Sequence, residues 1–268
     1  MLKKALNVVK LALIMAFVVA VGSATSLGVY FSVVESIKMP SNYEMGSLSN
    51  ISKDLDYKEK RVVSDSRSSI LIVMSSAENY DGYAKMSGTY VTHKGKYYVL
   101  TAAHGIVGEC EYFFVATNED DVYECIRYII VDHDTDYAII QVEKVEQRTP
   151  IDLRRAIPSN REWVQESSIL NKVFYTGYPN SLGPLTFEGS IAGLSHDNYL
   201  YMHSYAWPGS SGSGVFSYDG NLIGVLIALN VGYTSAGYDI LEDMVIVTPL
   251  FLIDWKTAFR IMEESEGS

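Results

Sequence analysis

Three serines and three glycines alternate in the segment WPGSSGSGVF, residues 207–216. A serine hydroxyl becomes a nucleophile when a base removes its proton and backbone N–H groups stabilise the developing oxyanion. Gly209 lies two residues before Ser211, so its N–H and that of Ser211 can converge on one oxygen. This spacing favours Ser211 as the nucleophile of an acyl transfer, with Ser210 and Ser213 as flanking turn residues.

A base and a carboxylate are the two further groups that this chemistry needs. His104 follows the apolar strand pattern YYVLTAA, and histidine exchanges protons near neutral pH. In DHDTDYAII, residues 132–140, three acids precede another apolar strand. Asp136 adjoins that strand and is expected to point inward, whereas Asp132 and Asp134 fit a solvated turn. His104 and Asp136 are therefore the candidate base and carboxylate.

Strands are the elements that must position these residues. Between residues 68 and 145, about six short apolar runs alternate with turn signals such as Lys94–Gly95. A polar stretch, residues 144–166, separates them from a second series of similar runs. In residues 251–262 apolar side chains recur at helical spacing, which predicts a carboxy-terminal helix packed on the second half. The chain is therefore predicted to be β-rich, with two halves of similar size.

The segments TAAHG, DYAII and PGSSGSGVF, in this order, resemble the three signature blocks of trypsin-like serine proteases of the chymotrypsin fold. KVFYTGYPNSLGPLTFEGSIAGL is similar to the start of the second barrel in bacterial and viral members. The resemblance implies an all-β fold of two antiparallel six-stranded β-barrels with a terminal helix. It implies a protease domain at residues 67–265, with barrel one at about 67–150, barrel two at about 165–250 and the helix at about 250–264.

The same resemblance implies a serine endopeptidase that acts on protein or peptide substrates without a metal or an organic cofactor. Ser211 would be the nucleophile, His104 the general base and then acid, and Asp136 the orienting carboxylate. The N–H groups of Gly209 and Ser211 would form the oxyanion hole. A catalytically silent binding module on the same barrels is the alternative. A bacterial envelope protease and a viral processing enzyme are both compatible with these features.

Substrate preference is predicted from two short segments. Tyr205 stands six residues before Ser211, where trypsin itself has an aspartate, so a preference for Lys or Arg lacks its usual counter-charge. Ile227, Ala228 and Leu229 are expected on the strand that pairs with the substrate. Together these residues predict a pocket for apolar or small side chains.

The amino-terminal region carries an uncharged segment, residues 11–34, which as a helix would cover the hydrocarbon core of a bilayer, about 30 Å thick. Three lysines precede it, so the positive-inside rule leaves residues 1–10 in the cytoplasm and the protease domain on the other side. A cleaved signal peptide, with its apolar run at residues 11–21, is the alternative and would release a secreted protein. Residues 35–66 are polar without a period and are predicted to be a flexible linker.

Charge and cysteine content exclude other classes of protein. The formal net charge of −11 and the lack of a basic patch downstream of the amino terminus argue against a nucleic-acid partner. Cys110 and Cys125 are the only cysteines and form no CxxC or Cys/His cluster, which argues against structural zinc. In an oxidising compartment they could form a disulfide worth about 3 kcal/mol, and a pair of free thiols is the alternative.

Overall fold

A computed structural model describes the part of the chain that carries both barrels: residues 45–78, 82–117, 121–234 and 237–264. The predicted cytoplasmic residues 1–10 and the predicted membrane or signal segment at 11–34 lie outside the described residues. Within the described ranges, no helix is both long enough and apolar enough to cross a membrane.

The first barrel is built from six antiparallel strands. They are β1 (Ile70–Ser75), β2 (Ala84–His93), β3 (Lys96–Thr101), β4 (Phe113–Ala116), β5 (Val122–Asp132) and β6 (Tyr137–Val142). Their order is β1-β4-β5-β6-β3-β2, and pairing of β1 with β2 closes the barrel. Lys94 and Gly95 both have positive φ angles in the turn between β2 and β3, which confirms the predicted hairpin.

The second barrel also contains six antiparallel strands. They are β8 (Lys172–Gly177), β9 (Leu185–Leu194), β10 (Leu200–His203), β11 (Gly214–Ser217), β12 (Leu222–Thr234) and β13 (Gly237–Pro249). The closed order is β10-β13-β12-β11-β8-β9. The side chains that alternate inward along these strands fill each barrel, as in the fully buried Tyr175, Val215 and Val247. The all-β fold with two six-stranded barrels, predicted from the sequence resemblance, is confirmed.

The helices lie outside the barrels. They are α1 (Tyr57–Ser69), α2 (Leu153–Ala156), α3 (Asn160–Glu166) and α4 (Trp255–Glu264). A two-residue strand, β7 (Ile151–Asp152), pairs in parallel with β2 just before α2. The polar stretch between the barrels therefore contains one short strand and two short helices.

The structure differs from the prediction that residues 35–66 form a flexible linker, because α1 begins within this segment. Asp56 and Glu59 form a capping box at its first turn, each side chain accepting the other's backbone N–H. The Ser66 hydroxyl donates to the Thr176 hydroxyl of β8 at 3.0 Å. A helix with few apolar residues gives a weak periodic signal, and here its polar side chains hold it against the second barrel.

The carboxy-terminal helix is present but packs differently from the prediction. It contacts the first barrel, where the Phe259 ring lies 4.6 Å from the His93 ring and Glu263 forms an ion pair with Lys94 at 2.9 Å. Arg127 of β5 donates to the Ile261 carbonyl at 3.1 Å. The apolar period of the sequence identifies the buried face of a helix but not the surface that covers it. Here α4 returns from barrel two to barrel one.

A disulfide joins Cys110 to Cys125, which resolves the two alternatives left open by the sequence. The bond connects a single turn of 3-10 helix, Cys110–Tyr112, to strand β5. It closes a loop with a sequence separation of 15. The loop belongs to the first barrel and lies outside the set of residues that line the cleft described below.

Candidate active site

His104 lies three residues beyond the end of the buried strand β3. Thr101, Ala102 and Ala103 are fully buried, and Ile106 N–H closes a turn on the Ala103 carbonyl at 2.9 Å. Small side chains at 102 and 103 let the backbone turn at the barrel surface, so that the next side chain projects outward. The His104 side chain is 49% exposed and lines the cleft described below.

Asp136 ends the turn between β5 and β6. The Asp132 carboxylate accepts the N–H groups of Asp134 at 2.9 Å and Thr135 at 3.1 Å, which makes the turn an Asx type. Burial acts to raise the pKa of Asp132, but hydrogen bonds from Thr135 and Asp134 outweigh it and lower that pKa. Asp136 follows this turn with a positive φ of 55°, and its side chain contacts His104.

The second barrel also holds this turn. Thr248 donates its hydroxyl to the Thr135 carbonyl at 2.7 Å, and the Tyr199 hydroxyl donates to the Asp134 carbonyl at 3.0 Å. Burial raises the pKa of Tyr199, and the nearby Asp136 carboxylate raises it further, so the phenol stays neutral and remains a donor. The acidic turn of barrel one is thus fixed to barrel two at the site.

The predicted base and carboxylate are hydrogen-bonded to each other. Asp136 Oδ2 lies 2.8 Å from His104 Nδ1, and Asp136 Oδ1 accepts the His104 backbone N–H at 2.8 Å. The Asp136 side chain is only 19% exposed. A carboxylate on Nδ1 favours the tautomer whose Nδ1 carries a proton, which leaves Nε2 free to accept one.

The segment that carries Ser211 is a tight loop between β10 and β11. Gly209 and Gly212 have φ angles of 95° and 89°, values that favour glycine. The Ser210 N–H donates to the Trp207 carbonyl at 2.9 Å, and the buried Ser213 hydroxyl donates to the Ser210 carbonyl at 2.7 Å. These bonds fix the backbone on both sides of the candidate nucleophile.

The Ser211 hydroxyl donates to the Ile227 carbonyl of β12 at 3.0 Å. No hydrogen bond joins this hydroxyl to the His104 ring in the part of the chain that the structure describes. Ser211 and His104 nevertheless line the same cleft, together with Asp136. Hydrogen bonds between a nucleophile and its base are often loose without substrate, so a rotation of the Ser211 side chain is the movement that would join them.

The N–H groups of Gly209 and Ser211 have no acceptor among the described residues. Both residues line the cleft. Two unpaired backbone donors two residues apart on a loop with positive φ can bind one negatively charged oxygen. This arrangement fits the oxyanion hole predicted from the sequence.

The cleft has a volume of about 660 Å³ and is mostly apolar apart from the candidate catalytic residues and Lys85. The other side chains and backbone positions that line it are Ala84, Lys85, Met86, Gly105, Ala206, Trp207, Pro208, Leu226 and Ile227. Among the predicted pocket residues, Ile227 lines the cleft, whereas Tyr205 lies outside the lining. Tyr205 is 60% exposed and its ring stacks on that of Trp207 with centroids 6.2 Å apart.

Ala228 and Leu229 continue β12 next to Ile227. Their backbones pair with Ile246 and Val245 of β13, and a register shift lies between positions 226 and 228. Their side chains lie outside the part of the chain that is described. A role for them in the substrate pocket stays a prediction.

A match to a known protein family agrees with the fold and with the hydrogen-bonded histidine and aspartate of the cleft. The profile of the family described as trypsin-like peptidase domain matches residues 86–225, which is more than half of the chain. The chain belongs to the trypsin-like peptidase family. It is accordingly a serine protease, a hydrolase of the chymotrypsin fold.

This trypsin-like peptidase is also similar to a solved structure, that of the serine endoprotease from Yersinia pestis. The two share 21% sequence identity, and the TM-score is 0.55. The match covers 78% of this chain and 67% of the other. At this identity the similarity concerns the fold. A comparison with curated proteins gives no match.

Several residues of this peptidase that contact the site were not identified from the sequence. Trp207 and Met86 line the cleft, and Ser87, next to Met86 in β2, contacts the loop of the candidate nucleophile. No local pattern identifies Ser87, because a serine inside an apolar strand is also common in structural positions. The Trp-Pro pair before Gly209 was the one signal available for Trp207.

Proposed function

We propose that this trypsin-like peptidase is a serine endopeptidase that hydrolyses peptide bonds through Ser211, His104 and Asp136. The observation that carries the proposal is the paired contact of Asp136 with the ring and the backbone of His104, in the cleft that Ser211 lines. A carboxylate that meets both Nδ1 and the N–H of one histidine holds the ring in one orientation.

The reaction begins when the Ser211 hydroxyl leaves the Ile227 carbonyl and turns to His104. His104 Nε2 takes the hydroxyl proton as Ser211 Oγ attacks the carbonyl carbon of the substrate. The N–H groups of Gly209 and Ser211 donate to the oxygen that becomes negative, and each such donor is worth about 2.7–4 kcal/mol in the transition state. Asp136 stabilises the imidazolium that forms.

The tetrahedral intermediate then collapses. The C–N bond breaks, His104 gives its proton to the leaving amine, and the acyl group remains on Ser211 as an ester. A water molecule loses a proton to His104 and attacks this ester in the second half of the reaction. Loss of the Ser211 alkoxide, which regains its proton from His104, releases the carboxylic acid product and restores the enzyme.

The substrate class follows from the lining of the cleft. Ala206, Leu226 and Ile227 are apolar and buried, and no carboxylate other than Asp136 lines the cleft in the described ranges. Asp136 is occupied by His104. An apolar or small residue before the scissile bond therefore fits better than Lys or Arg, whose charge would be buried without a partner.

We further propose that the domain is exported, either anchored by residues 11–34 or released after their cleavage. The Cys110–Cys125 disulfide supports export, because disulfides persist mainly in oxidising compartments. Added protease should degrade the domain in spheroplasts of a bacterial host expressing the full chain, while a cytosolic marker stays intact. Resistance to alkaline carbonate extraction would favour the anchor, whereas a shortened soluble product would favour the signal peptide.

A fluorophosphonate probe tests the proposed catalytic function directly, because it reacts with an activated serine. The wild-type protein is expected to be labelled at neutral pH, and Ser211→Ala to remain unlabelled. Ser217→Ala removes a buried serine of β11 and is the matched control that should keep its labelling. Absence of labelling in a folded wild-type protein would instead favour a catalytically silent binding module.

A further inference from the structure

Two peptide groups of the loop 207–211 are fixed through their carbonyls. The Pro208 carbonyl accepts the Asn180 N–H at 2.7 Å, and the Ser210 carbonyl accepts the Ser213 hydroxyl at 2.7 Å. In a trans peptide the C=O and the N–H point in opposite directions. Bonds on these two carbonyls therefore direct the N–H groups of Gly209 and Ser211 to the other side, where both residues line the cleft.

Gly209 is the residue at which the backbone of this loop could most easily rotate. Glycine adopts positive and negative φ values at similar cost, so its own conformational preference does not hold the φ of 95° seen here. The Asn180 bond holds the peptide plane before Gly209, but rotation about Gly209 would change the angle between this plane and the Gly209–Ser210 plane, so that the N–H groups of Gly209 and Ser211 no longer converge on one oxygen. A second contact, on the Gly209 carbonyl, has to fix that angle.

Ser87 of β2 supplies that contact from the first barrel. Its hydroxyl donates to the Gly209 carbonyl at 2.7 Å and accepts the Tyr178 N–H at 2.9 Å. Ser87 is fully buried, so water does not compete for these bonds. Its backbone N–H also donates to the Ser211 carbonyl at 2.9 Å. One residue thus holds the carbonyls of both Gly209 and Ser211.

The glycines near Ser87 show how closely the surrounding segments pack. A Cβ atom added at Gly209 would lie 2.7 Å from the Tyr178 carbonyl oxygen, and one added at Gly177 would lie 3.0 Å from Ser87 Oγ. A Cβ added at Gly212 would lie 2.0 Å from the Ser87 carbonyl oxygen. The loop, the segment after β8 and strand β2 therefore pack closely around these contacts.

We infer that Ser87 is a positioning residue whose hydroxyl fixes the Gly209–Ser210 peptide relative to the preceding one, so that the N–H groups of Gly209 and Ser211 converge and barrel one completes the oxyanion hole of barrel two. This inference rests on the proposed function of the same site. Ser87 does not touch the reacting atoms, and it acts through Gly209. The hydroxyl matters most when negative charge develops on the substrate oxygen, and less when the substrate merely binds.

The kinetic test is Ser87→Ala. The expected result is a fall in kcat of about tenfold to a hundredfold, less than the loss of about 10²- to 10³-fold expected on removal of an oxyanion donor itself. KM is expected to change by less than about twofold, because ground-state binding uses other contacts. A peptide aldehyde places its tetrahedral oxygen in the oxyanion hole, so its inhibition constant should rise by the factor by which kcat/KM falls.

Ser66→Ala is the matched control, because Ser66 of α1 is also a buried serine whose hydroxyl bonds to barrel two, at Thr176. It should lower the unfolding midpoint without changing kcat or the inhibition constant of the aldehyde. If Ser87→Ala behaves like Ser66→Ala in both kinetic measurements, the inference is wrong. Ser87→Cys, which keeps the shape and a weak donor, should fold and give values between wild type and Ser87→Ala.

A crystal structure of Ser87→Ala tests the geometry independently of turnover. The inference expects the Gly209–Ser210 peptide to be rotated, so that the N–H groups of Gly209 and Ser211 no longer point towards one position in the cleft. An unchanged loop would overturn the inference, even if the proposed function is correct. Conversely, a wild-type protein that is neither labelled nor active would count against the proposed function, while the loop in Ser87→Ala would still test the role of the Ser87 hydroxyl.

Discussion

Both carboxylate oxygens of Asp136 bind His104, one at the ring Nδ1 and one at the backbone N–H, each at 2.8 Å. The double contact fixes the direction of the imidazole relative to its own backbone. It also connects two turns that are 32 positions apart in the sequence. The orientation of the base is therefore set by one side chain, and changes to that side chain give a direct test.

Asp136→Asn is expected to lower kcat by about 10³- to 10⁴-fold, because the amide favours the wrong tautomer of His104. The measurement is steady-state hydrolysis of a peptide substrate. Asp134→Asn is the control, since Asp134 is exposed on the same turn. Equal losses in the two variants would contradict the assignment of Asp136 as the orienting carboxylate.

His104→Ala and Ser211→Ala are each expected to reduce hydrolysis by several orders of magnitude. The double variant should lose little more than either single variant, because the base is useful only when the nucleophile is present. Rates of all three variants against wild type form a double-mutant cycle. Losses that multiply across the cycle would show that the two residues act independently.

Gly212→Ala is expected to destabilise the protein by about 3 kcal/mol or more, because the φ of 89° is strained for alanine and the new methyl group meets backbone. The added Cβ would lie 2.0 Å from the Ser87 carbonyl oxygen and 2.2 Å from Thr101 Oγ1. Urea unfolding measures the change in the free energy of unfolding. Gly193→Ala is the control, with no atom within 4 Å of the added Cβ, and should unfold near the wild-type midpoint.

Replacement of Cys110 and Cys125 by alanine is expected to lower the free energy of unfolding by about 3 kcal/mol, as for a closed loop of about 15 residues. Activity at low temperature should persist, because the disulfide lies outside the cleft lining. A reductant should shift the urea midpoint of the wild type and leave that of the double variant unchanged. If the reductant also shifted the urea midpoint of the double variant, the shift would not be due to this disulfide.

Lys85→Glu is expected to change which charged substrates are preferred. Lys85 is exposed, lines the cleft and has no ion-pair partner in the described ranges. An acidic substrate side chain that passes it gains an attraction of up to about 1 kcal/mol, so cleavage of such peptides should be favoured a few-fold at low salt. Peptide-library profiling should show this preference reversed in Lys85→Glu and retained in Lys256→Glu, a control on α4. Identical profiles in all three proteins would exclude a role for Lys85.

Much of the site was predictable because its signals are local. His104, Asp136 and Ser211 each lie close to a strand whose apolar residues are recognisable. The glycines at 209 and 212 indicate a backbone conformation that other residues rarely adopt. The apolar runs predicted about six strands in the first half, whereas the six strands of the second barrel were predicted from the family resemblance. The helix of residues 57–69 was not anticipated, because its apolar residues are too few to produce a helical period.

Patterns within the sequence indicated which faces are buried, where the chain turns and which residue types are available for chemistry. The surfaces that these faces contact became visible only in the folded protein, where α4 covers barrel one, α1 is held on barrel two, and Ser87 reaches Gly209 from 122 positions away. Periodicity and turn chemistry arise within a few residues of the chain. Contacts between the two barrels depend instead on how the closed barrels fit together, which no short segment encodes.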